Sequence, residues 1–267
     1  MVKLIIRDDD CNFFTRPEDL EFVYRSIPHF PVTFALVPEV TDVCGGCPET
    51  KGNTRPHPIG DNKQLVTCLK QKLAEGKCDI VLHGINHEYK YDKYGSKIPE
   101  MIWRNNDPDL KQNIARCKIY LEKTFNRSIN CFVAPSNQIL PNGIEAICSN
   151  NMNYSGIISL SFNRSLTLKS LVNYVKRWGV RLFLGFPYPG VMDYGTHLEL
   201  NATNRTSYDF LKRMFLYCDK YDKPLAINVH YWHMRDNESY YKGFFSFINY
   251  ALEKGAVPTR LSDLFVK

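Results

Sequence analysis

Apolar and polar positions alternate along the chain between short apolar runs and longer segments with helical spacing, the pattern of parallel strands joined by crossover helices. Val2, Leu4, Ile5 and Ile6 form the first run, which ends in Arg7-Asp8-Asp9-Asp10 and reads as a buried strand. Thr15-Arg16-Pro17-Glu18 has the spacing of a capping box and predicts a helix to about residue 27, followed by a second strand over 31–37. Asp61 is the expected cap of a helix with Leu65, Leu69 and Leu73 on one face, closed by Gly76, and 79–83 is the third strand. Asp107-Pro108 predicts the start of a helix whose apolar face is Leu110, Ile114, Cys117, Leu121 and Phe125, and 129–134 is the fourth strand. Pro141-Asn142-Gly143 opens another helix before a fifth strand over 154–159. A helical stretch around 168–177, closed by Gly179, precedes a sixth strand over 180–186. A helix over 206–221 leads to a seventh strand over 224–230, and a further helix ends near Gly255 before the closing segment 256–264.

Composition narrows this to one unit. A chain of 267 residues with 44% hydrophobic content can bury one sizeable core, and no linker, repeat or low-complexity tract divides it. The expected organisation is a single domain over 1–267 with a long loop insertion at about 39–60. The net charge of +6 is dispersed, which argues against a nucleic-acid surface and suits a phosphate-bearing small substrate. The first strand follows Met1 directly, leaving no room for a signal segment, and no apolar run is long enough to span a bilayer, so a cytoplasmic location without a transmembrane segment is expected. Nine cysteines, several within apolar patterns, read as free thiols. Six Asn-x-Ser/Thr sequons then reflect an Asn-rich composition.

The chemistry gathers at the carboxyl ends of the predicted strands, where the loops of alpha/beta folds converge. Alternation along the first strand places Arg7 and Asp9 on one face and Asp8 and Asp10 on the other. Three adjacent carboxylates require solvent, a cation or pairing with Arg7. After the third strand, His83-Gly84-Ile85-Asn86-His87 carries histidines at i and i+4, which converge on a metal if the segment turns helically. Pro135-Ser136-Asn137 after the fourth strand suits a rigid loop with amides presented to a ligand. His230-Tyr231-Trp232-His233 ends the seventh strand, with His230 the better placed to face the mouth and His233 second. Cys44, Cys47 and His57 offer only three zinc ligands, so a loop lining the mouth is favoured there over a structural metal site.

These motifs, in order over essentially the whole chain, resemble the polysaccharide deacetylase superfamily, the NodB-homology or carbohydrate esterase family 4 group. The closing Gly255-Ala256-Val257-Pro258-Thr259-Arg260-Leu261-Ser262-Asp263-Leu264 also resembles that group. Arg-x-Asp-Asp at 7–10 and Pro-x-Asn at 135–137 resemble a divergent branch associated with O-antigen and surface-polysaccharide biosynthesis. The resemblance implies an alpha/beta fold, an irregular (β/α) barrel of about seven strands. It implies a hydrolase that removes an N-acetyl or related acyl group from a sugar, with Asp9 as general base and His230 as general acid. Asp10, His83 and His87 would hold one divalent metal ion, expected to be zinc, with Ser136, Asn137, Trp232 and His233 near the substrate. Where the group usually has arginine two residues before the proline and an aromatic after it, this chain has Val133 and Ser136. Arg7 is therefore expected to replace that arginine as partner of Asp9, and Asp193 lies near the place of the residue that orients the acid histidine. With no export expected, the expected substrate is a nucleotide-linked or lipid-linked sugar, a small or membrane-borne precursor; the oligomeric state is open. A non-catalytic sugar-binding protein on the same barrel and a hydrolase of another amide remain as alternatives, whereas a two-carboxylate glycosidase leaves the histidine pair without a purpose.

Overall fold

The computed structural model describes residues 1–41, 55–157 and 162–265. Seven parallel strands close into a barrel: β1 (Lys3–Cys11), β2 (Val32–Leu36), β3 (Cys78–His83), β4 (Cys131–Val133), β5 (Asn153–Gly156), β6 (Leu198–Thr203) and β7 (Leu225–Val229). Each pairs with the next, and β7 returns to β1 with Leu4 opposite Leu225 and Asp8 opposite Val229. The helices that cross between them are α1 (Pro17–Tyr24), α2 (Lys63–Ala74), α3 (Glu100–Trp103), α4 (Leu110–Phe125), α5 (Pro141–Ser149), α6 (Leu168–Leu184), α7 (Tyr208–Lys220), α8 (Tyr231–Asp236) and α9 (Glu238–Glu253). Within the long insertion, Glu39–Val40 and His57–Pro58 pair antiparallel, and His57 packs on the rings of Phe13 and Phe14. Cys44 and Cys47 lie outside the described residues.

Alternation along the strands builds two cores. Leu4, Ile6, Ile80 and Leu82 face outward against the helices, while Ile5, Val81, Val133, Ala202 and Ala226 fill the barrel interior. The closing segment seals one end: Val257–Pro258 pairs with β1, Leu261 and Phe265 join the interior cluster, and Leu261 N and Ser262 N donate to Thr33 Oγ1 and Asp79 Oδ2. The opposite end, where the strands finish, holds the polar residues.

The sixth strand departs from expectation. Residues 180–186 are not a strand; α6 runs through Gly179 to Leu184, and β6 comes later, at Leu198–Thr203. An interior glycine costs a helix only about 1 kcal/mol, too little to end one that continues through Arg181, Leu182 and Leu184. Several predicted helix starts also shift. Asn62 rather than Asp61 caps α2, accepting from Leu65 N, and α4 starts after Asp109 rather than at Pro108. Thr15 makes no capping box: Arg16 precedes α1 without a side-chain cap, and α1 ends at Tyr24, short of residue 27. The Thr15 hydroxyl is drawn instead into the loop, accepting from Asn12 N at 2.9 Å and bonding Tyr231 Oη at 3.0 Å.

Candidate metal and catalytic site

The three consecutive carboxylates of β1 go to three different places. Asp8 points out of the barrel, where its carboxylate accepts from Tyr24 Oη at 2.6 Å and from Tyr231 N at 2.9 Å. Full burial raises its pKa well above the carboxylate range despite these two donors. Asp9 points into the barrel beside Arg7, as alternation requires. Asp10 was expected on the outer face with Asp8 and is not there. The register between β1 and β2 shifts after Asp8, and Asp10 has a left-handed backbone (φ 71°), so this bulge turns its side chain toward the third-strand histidines.

Asp10 Oδ1 lies 3.1 Å from both His83 Nε2 and His87 Nε2, and His230 Nε2 lies 3.6 Å from Oδ2. Burial works against the Asp10 charge, but the neighbouring imidazoles, His87 first and then His230, outweigh it and hold its pKa well below the usual range. Burial likewise disfavours a charged His87, yet Asp10 raises its pKa. Ligand atoms of Asp10, His83 and His87 lie within 4.8 Å of one another, the one such group of three among the described residues. In a tetrahedral site with ligands at about 2.0–2.1 Å, neighbouring ligand atoms stand roughly 3.3 Å apart, close to the separations from Asp10. His83 Nδ1 faces the carbonyl oxygen of Val133 at 3.1 Å, which fixes the proton there and leaves Nε2 as the free donor atom. The donor set, its spacing and this fixed tautomer all fit a divalent cation.

The histidine segment does not turn helically as the i, i+4 spacing suggested. Residues 84–88 form an irregular turn with positive φ at Gly84 (64°) and His87 (57°), held by a carboxylate from elsewhere. Buried Glu100 of α3 accepts from Ile85 N, Asn86 N and His87 N at 3.0–3.1 Å, and Arg104 pairs with it at 3.1 Å. Sequence reasoning missed Glu100. Its only local signal is an acid beside a proline, which also describes any helix start.

Arg7 is the most completely engaged side chain at the mouth, with no solvent exposure. Its guanidinium donates to both Asp9 oxygens at 2.8 Å each, to Ser155 Oγ at 3.0 Å and to Asn137 Oδ1 at 2.8 Å. Ser136 and Asn137 are both left-handed (φ 55° and 54°), so the loop after β4 turns sharply. Asn137 N and Gln138 N bond to Ala134 and Pro135 within that turn, while Ser136 Oγ meets Tyr89 Oη at 2.6 Å. Trp232 lies beside His230, ring centroids 5.2 Å apart. His233 sits further along α8 against Trp232 and Tyr240. Asp193 pairs with Lys169 at 2.6 Å next to α6.

No protein-family model and no curated protein matches the chain. Solved structures do. A candidate polysaccharide deacetylase from Mycobacterium smegmatis aligns at TM-score 0.55 and 8% identity, over 98% of this chain and 89% of that one. A peptidoglycan N-acetylglucosamine deacetylase aligns at 0.49 and 10% identity, over 98% and 87% of the two chains. A family 4 acetyl xylan esterase from Clostridium thermocellum aligns at 0.45 and 10% identity, over 98% and 89%. What the first of these alignments and the strand order establish is the fold, the closed parallel (β/α) barrel of the polysaccharide-deacetylase type.

Proposed function

We propose that the protein is a metal-dependent hydrolase that removes an N-acetyl or related acyl group from a sugar. One observation carries the reading: Asp10, His83 and His87 converge at cation-binding spacing, with His230 across from them and the Arg7–Asp9 pair on the same strand. Asp10, His83 and His87 would hold the metal. A divalent ion there supplies Lewis acidity, polarising the acyl carbonyl and easing deprotonation of water.

The protein groups supply the rest. Asp9 is the general base, and each of its oxygens retains a lone pair beyond the one given to Arg7. Arg7 fixes that carboxylate in one orientation. His230, with about a third of its side chain exposed, is placed to protonate the departing amine. The Ser136 amide, whose neighbours are engaged within the turn, is available to a developing oxyanion. Trp232 beside His230 offers a flat apolar face to a sugar ring. The substrate is read as a nucleotide-linked or lipid-linked precursor of a surface polysaccharide, and zinc as the metal.

One observation favours binding without turnover: Asp9 is only 1% exposed and both its oxygens face Arg7. Acetate release from a panel of N-acetylated nucleotide and lipid-linked sugars, measured with and without chelator, separates the two. The proposal expects release that is lost on chelation and restored by zinc. Metal uptake with no release from any substrate would support the binding reading instead.

A further inference from the structure

Helix α6 is turned the wrong way for a barrel helix. Its buried positions are Ser170, Asn173 and Arg177, and Asn173 Nδ2 donates to the carbonyl oxygen of Asp193 at 3.0 Å. Leu168, Leu171, Val172, Val175, Leu182 and Phe183 are exposed, Leu168 to 79% and Phe183 to 87%. At 100° per residue these six fall in one stripe, and Leu166 in the preceding loop extends it. A contiguous exposed apolar face of this kind, rather than leucines scattered singly, marks an interaction surface.

The charges beside the stripe identify its partner. Lys169 and Lys176 lie along one flank and Arg181 along the other, with half-buried Tyr174 and Trp178 on the same side as Arg181. From Ala146 to Met192 the chain contains none of its 28 Asp and Glu. An apolar stripe edged by cations and aromatic rings, beside which Asp193 is paired with Lys169 and leaves Lys176 and Arg181 on the two flanks, is complementary to an anionic lipid surface. Leucines and Phe183 enter the acyl boundary, lysine and arginine reach phosphates, and Trp178 sits at the headgroup level. No helix of the described residues is long and apolar enough to cross a membrane, so the contact lies in the surface plane. We infer that the exposed face of α6 docks the protein on an anionic bilayer surface. The inference is independent of the proposed hydrolysis, because it concerns only where the molecule sits. If both hold, the lipid-linked class of substrate is favoured over the nucleotide-linked one.

Sedimentation of the full chain with vesicles of phosphatidylcholine, with and without phosphatidylglycerol, tests this without any turnover assay. The expected result is co-sedimentation with the anionic vesicles that weakens as salt rises. The double variant V175E/F183E should weaken it at least tenfold and K176E several-fold. Both change exposed positions, so unchanged circular-dichroism melts certify the fold. Protein left in the supernatant at every lipid concentration overturns the inference. So does an elution as a dimer that V175E/F183E splits, with no vesicle binding, since a second copy would then cover the face.

Discussion

Replacing Arg7 by methionine tests the centre of the site most directly. The side chain keeps much of its length and loses the guanidinium, so Asp9, 1% exposed, is left as a buried carboxylate without its counter-charge. Removing one partner of a buried pair costs about 3–5 kcal/mol. The bonds to Ser155 and Asn137 add roughly 1 kcal/mol more, giving about 4–6 kcal/mol in all. A domain stable by about 5–15 kcal/mol survives this loss narrowly, so urea unfolding at low temperature remains measurable. Adding Asp9→Asn removes the stranded charge, and the double variant should recover about 2 kcal/mol or more over the sum of the single effects. The unfolding is followed with chelator present, so that metal binding does not shift the equilibrium. In the metal-loaded protein, Arg7→Met should lower acetate release at least about 100-fold while bound metal stays near the parent level, since Arg7 contacts none of the three ligands. A destabilisation within about 1 kcal/mol, strict additivity with Asp9→Asn, or unchanged turnover would each refute the assignment of Arg7 as the partner that orients the base.

Three further outcomes follow from other parts of the structure. Glu100→Gln removes the charge that gathers three amides of the histidine turn, and metal affinity by equilibrium dialysis should fall about 10- to 100-fold while the fold persists. Gly84→Ala places a methyl group against the Glu100 carboxylate and the Pro135 ring at a positive φ, and should cost more than about 2 kcal/mol in the same urea assay. For His197, burial disfavours the charge, but Cys148 and Glu199 outweigh it and raise the pKa to about 9. The folded state therefore holds this proton more tightly than the unfolded chain does. The stabilisation, about 3 kcal/mol, is complete below the unfolded value near 6.5 and disappears as pH rises through about 9. The urea midpoint should decline across that window, and His197→Gln should flatten the decline.

Much of the architecture was readable from periodicity alone, because a parallel barrel buries its strands on both sides and marks each as an apolar run. Residue order along the chain was enough for the alternation of strands and helices, the placing of Asp9, His83 and His230 at or near strand ends, and the shared face of Arg7 and Asp9, since alternation along a strand is enforced by backbone geometry. It misplaced the sixth strand because α6 turns its polar side inward, so local hydrophobicity there no longer reports burial. Tertiary structure alone decided the path of Asp10, which depends on a bulge against β2, and the shape of the histidine turn, which depends on a carboxylate thirteen residues beyond His87. The same holds for Asn137 beneath Arg7, a contact across 130 positions of chain. Such groups are chosen by what lies next to them in space, and spacing along the chain carries no record of it.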